Sequence, residues 1–356
     1  MKSIAILCNY RLEPNRVGGM DYFFWEFDTA CKEAGHQITW FFPNAANHGK
    51  YPGMDIIAAG NNSIVECFLK TISATSKNYD TIVTHFLELC TPFYKTVKQK
   101  TGARIIAVDH NPRPSVGYSL KKRLKKQIYS CLYSHFTDLF IAVSEQTLSD
   151  LLNDFRCIKR TQTKVIFNGL PVNKIKTRIR NNTSTIKFMV SSHLRPDKGL
   201  KDLITAYNNL TTEAKNKATI DIYGDGPERE ELMQLIYDYK IEPYISLKGS
   251  TKDIHEKYAE YDFLIHPSHA ETFCYAVVEA LLANLPVITT HYAGNILNLV
   301  ESNRNGFLYP IGDIHRLTSI IQKVIEEQIK LSIDSRASYA KLFSTERMVA
   351  EYISTL

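Results

Sequence analysis

Short apolar runs alternate along this chain with longer stretches whose apolar residues recur every three or four positions. In the first half the runs are "SIAILC", "QITWFF", "MDIIAA", "DTIVTHF", "ARIIAV", "LFIAVS" and "KVIF". In the second half they are "TIKFMVS", "ATIDIYG", "YISLKG", "DFLIHP", "PVITT" and "GFLYP". A strand that is apolar on successive residues is buried on both faces. The amphipathic stretches between them, such as "MDYFFWEFDTACKEAG" with its helix-stopping Gly35, read as crossover helices. The pattern predicts an α/β fold of parallel sheets covered by helices on both sides. At 171–184 the periodicity lapses into polar, basic residues, which predicts a linker. Two α/β units follow, 1–170 and 185–339, with a helix at about 340–356 returning to the first. Ligands on such sheets bind beyond the carboxyl ends of the strands, so the cleft between two facing sheets is the expected site.

Composition adds little to this and removes several classes. The 356 residues are 44% apolar and 22% charged, and a net charge of +6 suits an anionic ligand or surface without requiring nucleic acid. Seven scattered cysteines with no C-x-x-C pair argue against a disulfide framework or a zinc site, and for a reducing compartment. The opening "MKSIAILCNYRLEPNR" is too short in apolar residues for a signal peptide, and no run approaches the roughly 18 needed to span a membrane. A cytoplasmic protein, at most peripheral on the inner face of the membrane, is expected.

The loops after the strands carry the candidate chemistry. Gly18-Gly19 opens a helix after the first strand, where bare N–H groups could meet a phosphate, or where glycines merely shape a turn. "VDHNPRP" puts His110 beyond the fifth strand, and "DTIVTHF" puts His85 in a weaker, cleft-lining position. "SSHLRPDKGL" gathers His193, Arg195 and Lys198 at a helix start, a basic turn suited to a diphosphate. "YGDGPEREEL" sets Gly224 in a tight turn that serves either architecture or a ligand. "HAETFCYAVVEALLANLPVITT" places Glu271 just before a helix predicted over Phe273–Asn284, and Glu279 within it. Eight residues at helical rise separate the two by about 12 Å, too far for a hydrolytic pair. That spacing suits two carboxylates holding opposite ends of one extended ligand.

Taken in order, these features resemble the retaining, nucleotide-sugar-dependent glycosyltransferases of family 4. They include Gly18-Gly19, "VDHN", "AVSEQ", "VIFNGL", "LRPDKG", "YGDGPEREEL", "HPSHAETFCYAVVEALLANLPVI", Gly294-Asn295 and "NGFLYP". The resemblance implies a GT-B fold, two Rossmann-like domains whose parallel sheets face each other across a cleft. It implies sugar transfer from a nucleoside diphosphate to an acceptor hydroxyl, with no cofactor and no metal. Carried over by position, Glu271 meets the donor sugar's hydroxyls and Glu279 the ribose. Lys198 and the backbone around Gly19, Phe273 and Cys274 hold the diphosphate, and His110 lies against the sugar. Two departures stand out. His193 occupies the place of the usual arginine, so either Arg195 or His193 reaches the diphosphate. Thr272-Phe273-Cys274 replaces the usual Gly-Phe-Gly and is expected to crowd the sugar.

The acceptor implied is a saccharide or lipid-linked saccharide in surface-polysaccharide assembly. "LKKRLKKQIYSCLYSHF", 120–136, either docks on anionic lipid or packs on the sheet as an ordinary solvated helix. Two further functions stay open at this level: a sugar-nucleotide epimerase, and a non-catalytic sugar-nucleotide-binding protein.

Overall fold

The computed structural model describes residues 1–356 apart from 14–16, 76, 112, 115–116, 179–184, 292–297, 328, 330, 332 and 335. Gly294-Asn295 and the second half of the predicted linker therefore lie outside the described residues. The chain divides into two compact units, Met1–Leu170 with Thr345–Leu356, and Pro171–Ser344.

In the first unit the strands are β1 (Ser3–Cys8), β2 (Gln37–Phe42), β3 (Ile56–Ala58), β4 (Thr81–His85), β5 (Arg104–Asp109), β6 (Leu139–Ala142) and β7 (Thr163–Val165). They form one parallel sheet in the order β3-β2-β1-β4-β5-β6-β7. Helices α1 (Gly19–Glu33), α2 (Ile64–Ala74), α3 (Pro92–Thr101), α4 (Leu120–Tyr133) and α5 (Glu145–Asp154) cover its faces. α1 forms because Phe23, Phe24, Phe27 and Cys31 fall on one stripe, all buried against the sheet. The Phe24 ring lies 5.4 Å from Trp40 and 5.3 Å from Phe42, and Phe23 lies 4.9 Å from Tyr352. Each such ring contributes about 1.5–3 kcal/mol through removal from water. The terminal helix Thr345–Ile353 is thus part of this core, through Met348, Val349 and Tyr352.

The second unit holds β8 (Ile186–Ser191), β9 (Ala218–Tyr223), β10 (Ile245–Gly249), β11 (Phe263–His266), β12 (Val287–Thr290) and β13 (Gly306–Tyr309), parallel in the order β10-β9-β8-β11-β12-β13. Its helices include α6 (Leu200–Asn208), α7 (Thr212–Lys215), α8 (Arg229–Asp238), α9 (Ile254–Lys257) and α10 (Tyr275–Leu282).

Four expectations change. Residues 171–178 are not a free linker: Ile175 is buried, and Lys176 and Arg178 donate backbone N–H groups to His255 and Ala283 of the second unit. The return to the first unit begins at Thr345 rather than near 340, because the helix Arg336–Phe343 packs on α10. Cys131 and Cys157 form a disulfide, tying α4 to the segment after α5 with Cα atoms 5.2 Å apart. Tertiary packing joins cysteines 26 residues apart, which spacing alone does not reveal. Lastly, the leucines of α4 do not pack on the sheet: Leu120, Leu124, Ile128 and Leu132 are 82%, 63%, 49% and 51% exposed.

Met348→Ala should destabilise the protein by about 2–5 kcal/mol, the usual cost of a core cavity of that size. Urea unfolding followed by tryptophan fluorescence reads this directly, because Trp25 and Trp40 both sit in the core that Met348 joins.

Candidate functional site

In each unit the strand order reverses once, between β1 and β4 and between β8 and β11. Loops at the carboxyl ends of those strands diverge to opposite faces and leave a crevice, where open α/β sheets bind ligands. Of the loops singled out from the sequence, those after β1, β8 and β11 sit at these two places, while His110 and Gly224 follow the neighbouring strands β5 and β9.

In the second unit the loop after β8 turns through Pro196–Lys198 into α6 by way of Gly199, whose φ is +64°. A Cβ on Gly199 would lie 2.2 Å from the Pro267 carbonyl oxygen, so only glycine lets the loop after β11 pass this close. That loop is then fastened along its length. His269 N–H donates to the Asp197 carbonyl at 2.8 Å, the Ser268 hydroxyl to the same oxygen at 3.2 Å, and the His269 ring meets Asp202 at 2.8 Å. The outcome is a pair: buried Lys198 places its Nζ 2.6 Å from Oε1 of Glu271. His266, ending β11, sets Nε2 3.5 Å from the same oxygen. Its ring is held down to about 4, chiefly by burial, with Glu271 pulling upward and Lys198 adding to the depression. Asp197 Oδ2 stands 3.6 Å from the same Nζ, so the site gathers Lys198, two carboxyl groups and a neutral imidazole.

The helix with Glu279 starts later and stops earlier than its sequence suggested, at Tyr275 and Leu282. Half of the Glu271–Glu279 span is loop, so the helical-rise separation does not describe it. Cys274 breaks the helix start by adopting φ +40°, the left-handed region that favours glycine. Its thiol is buried and pushed well up, mainly by burial and then by Glu271, which keeps it protonated. Phe273 packs on Tyr275 and Phe343 at 4.8 and 5.8 Å. Both side chains are buried, and Thr272 is half-buried. Glu279 lies in a helix buried nearly all round, and its charge is met by Tyr258, whose hydroxyl donates at 2.6 Å. His255 Nδ1 stands 3.7 Å from its other oxygen.

The remaining candidates of this unit divide. Arg195 is exposed and reaches Asp197 at 3.1 Å, and His193 is exposed on the same loop. Gly224 is architectural: with φ +128°, its Cβ would stand 1.8 Å from the Ser192 carbonyl oxygen, so it lets two strand-end loops touch.

In the first unit, Gly18 precedes α1 and Gly19 is its first residue. The Gly18 N–H is already donated to the buried carboxylate of Asp21 at 2.8 Å, a group that also takes the hydroxyl protons of Tyr51 and Tyr10. An anion at this helix start would meet a negative neighbour. His110, just past β5, is buried, stacked on Phe86 at 4.2 Å, and joined to His85 by a 2.9 Å contact between His85 Nδ1 and His110 Nε2. Burial drives His110 down to about 3 and His85 well below the usual range. Sequence reasoning missed His266, Tyr258 and His255. A histidine as the last residue of a strand was the available signal for His266, whereas Tyr258 lies 21 residues before its partner with nothing to link them. Among the described residues no cluster of three or more His, Cys, Asp or Glu is arranged to hold a metal ion.

Comparison with known proteins agrees with this architecture. Residues 17–174 match Glycosyltransferase Family 4, and residues 172–341 match Glycosyl transferases group 1. The chain belongs to the group 1 glycosyltransferases. It is 26% identical over 235 residues to a poly(glycerol-phosphate) alpha-glucosyltransferase of Bacillus subtilis, covering 65% of this chain and 34% of that protein. It is 22% identical over 258 residues to a Campylobacter jejuni N-acetylgalactosamine-N,N'-diacetylbacillosaminyl-diphospho-undecaprenol 4-alpha-N-acetylgalactosaminyltransferase, covering 70% and 69%. Among several curated relatives the chain spans only 34–42% of their length. The crystal structure of Anabaena HepE in complex with UDP and glucose superposes over 100% of both chains with a TM-score of 0.77 at 20% identity. That likeness establishes the two-Rossmann GT-B fold.

The three neutral histidines make stability depend on pH. Each ring is depressed in the folded chain but takes up a proton near pH 6.5 once unfolded. The unfolded state then binds more protons, so stability should fall as pH drops from about 6.5 toward 4. By pH 5 the loss should reach about 2 kcal/mol for each ring, read as a falling urea midpoint between pH 7.5 and 5.

Proposed function

We propose that the protein transfers a sugar from a nucleoside diphosphate to an acceptor hydroxyl with retained anomeric configuration and without a metal ion. A UDP-sugar is the favoured donor and a GDP-sugar the next. The observation that carries this reading is the Lys198–Glu271 pair at the β8/β11 reversal, followed by the buried Glu279. Lys198 is the buried cation that meets the diphosphate and stabilises its departure as the anomeric carbon gains positive charge. Glu271 accepts from the donor sugar's hydroxyls, and Glu279, oriented by Tyr258, accepts from the ribose. Arg195, freed from Asp197, adds charge at the diphosphate. The neutral ring of His110 hydrogen-bonds the sugar and is not a general acid. A phosphate oxygen of the donor takes the acceptor proton.

For the acceptor, the relatives' names support a saccharide or lipid-linked saccharide of the cell surface. The α4 stripe supports the lipid-linked form. Its four exposed apolar residues are spaced four apart, with Lys121, Lys122, Arg123, Lys125 and Lys126 between them. Beside the stripe lies a cavity of about 510 Å³ lined by Lys121, Lys122, Lys125 and Lys126. A peripheral seat on an anionic membrane follows, worth about 1 kcal/mol per basic residue at the surface. No helix among the described residues is long and apolar enough to cross a membrane.

Calorimetric titration with UDP-sugars and GDP-sugars, with turnover measured in EDTA and product configuration read by NMR, tests the whole reading. Lys198→Ala and Glu279→Ala should each weaken donor binding by about 10- to 100-fold, the worth of a hydrogen bond to a charged group. Glu271→Ala should chiefly lower kcat, and wild-type behaviour in all three would refute the assignment. Separately, the protein should sediment with phosphatidylglycerol vesicles and not with phosphatidylcholine vesicles, and Leu124→Asp should release it. Failure of the unmodified protein to bind either vesicle would remove the membrane reading.

A further inference from the structure

We propose that His85 is a positioning residue that fixes which proton His110 presents to the donor sugar, an inference that rests on the reading of His110 above. His85 closes β4 and His110 follows β5, its parallel neighbour, so the pleat brings both rings to the same end of the sheet. The two nitrogens, His85 Nδ1 and His110 Nε2, are 2.9 Å apart and both rings are buried. Rings this deeply buried stay neutral, so each carries one N–H and one lone pair. One proton lies between them, and this couples the two tautomers. If His85 donates, its Nε2 is bare and His110 must carry its proton on Nδ1. If His110 donates, the proton of His85 moves to Nε2 and His110 Nδ1 becomes an acceptor.

The surroundings of His85 choose between these states. Its Nε2 is buried with no hydrogen-bond partner among the described residues, and the Phe23 and Tyr352 rings pack about it at 5.8 and 5.9 Å. A buried N–H without an acceptor is the costlier vacancy, and orphaned donors are rarer in folded proteins than under-used acceptors. His85 therefore keeps its proton on Nδ1 and donates it to His110 Nε2. His110 is left with a proton on Nδ1, the nitrogen that no described residue engages. The Phe86 ring, stacked 19° from parallel, holds the imidazole plane against rotation. The result is one N–H of fixed direction and fixed charge, a donor to a hydroxyl oxygen of the sugar. A lone histidine in solvent would exchange tautomers and offer that hydroxyl a donor and an acceptor in turn.

The test is long-range proton–nitrogen NMR on protein labelled at histidine, together with turnover of UDP-glucose and UDP-N-acetylglucosamine. The wild-type His110 ring should be the Nδ1–H tautomer; an Nε2–H ring overturns the proposal without any variant. In His85→Leu the His110 tautomers should mix, and kcat should fall by about tenfold or more while KM for the donor shifts far less. His85→Asn, whose amide occupies the position of Nδ1 and can still donate, should restore the Nδ1–H tautomer and most of the rate. An unchanged tautomer, or an unchanged kcat, in folded His85→Leu overturns the assignment. Wild-type turnover in His110→Ala would instead refute the reading of His110 itself, and the tautomer measurement would still decide the coupling of the two rings.

Discussion

The contact of Gly199 with the Pro267 carbonyl is the constraint on which the second unit's site depends. Two loops leaving neighbouring strands must touch if a lysine on one is to meet a carboxylate on the other, and a Cβ at 2.2 Å from that oxygen forbids it. Once glycine permits the approach, hydrogen bonds from Ser268 and His269 to the Asp197 carbonyl fix the register of the loops. Lys198 and Glu271 then meet at 2.6 Å without long side-chain searches. The pair also solves a problem of its own: a buried lysine needs a counter-charge, and Glu271 stands in reach to supply it.

Charge in the interior is handled differently at each point. Glu279 sits in an apolar helix and relies on one neutral donor, Tyr258, whose own ionisation is pushed out of reach by burial and by that carboxylate. In the first unit the carboxylate of Asp21 occupies the start of α1 and is met by two phenols and a backbone N–H. A helix start that elsewhere would attract phosphate is here filled by the chain's own anion.

The thirteen strands among the described residues were legible as apolar runs, most plainly the central ones such as β1, β4 and β11, which are buried on both faces and have no polar alternation to disguise them. The loops were legible too, since Lys198-Gly199 and Glu271 stand directly after strands. What escaped was whatever depends on contacts distant in sequence. Tyr258 under Glu279, the Cys131–Cys157 bond and the burial of Ile175 all follow from packing, which leaves no local trace. The helix start at Tyr275 was misjudged for another reason. Phe273 and Cys274 are apolar and looked helical, but Cys274 takes a left-handed conformation that composition does not announce. For the leucines of α4 the sequence left two readings open, because periodicity does not say whether an apolar stripe finds a sheet or is left in solvent.

The second unit enters after Leu170 and leaves before Thr345, and the Thr345 N–H donates to the Leu170 carbonyl at 3.1 Å. It is an insertion whose two ends meet at one point of the first unit. This has a consequence for synthesis on the ribosome. The unit that begins the chain lacks Met348 and Tyr352 until residues 345–356 emerge, so its core closes last. The inserted unit is contiguous and can finish folding while its host is still open, inverting the usual N-terminal-first order. Loss of Met348 and Tyr352 would accordingly be felt in the unit formed by residues 1–170, far from them in sequence.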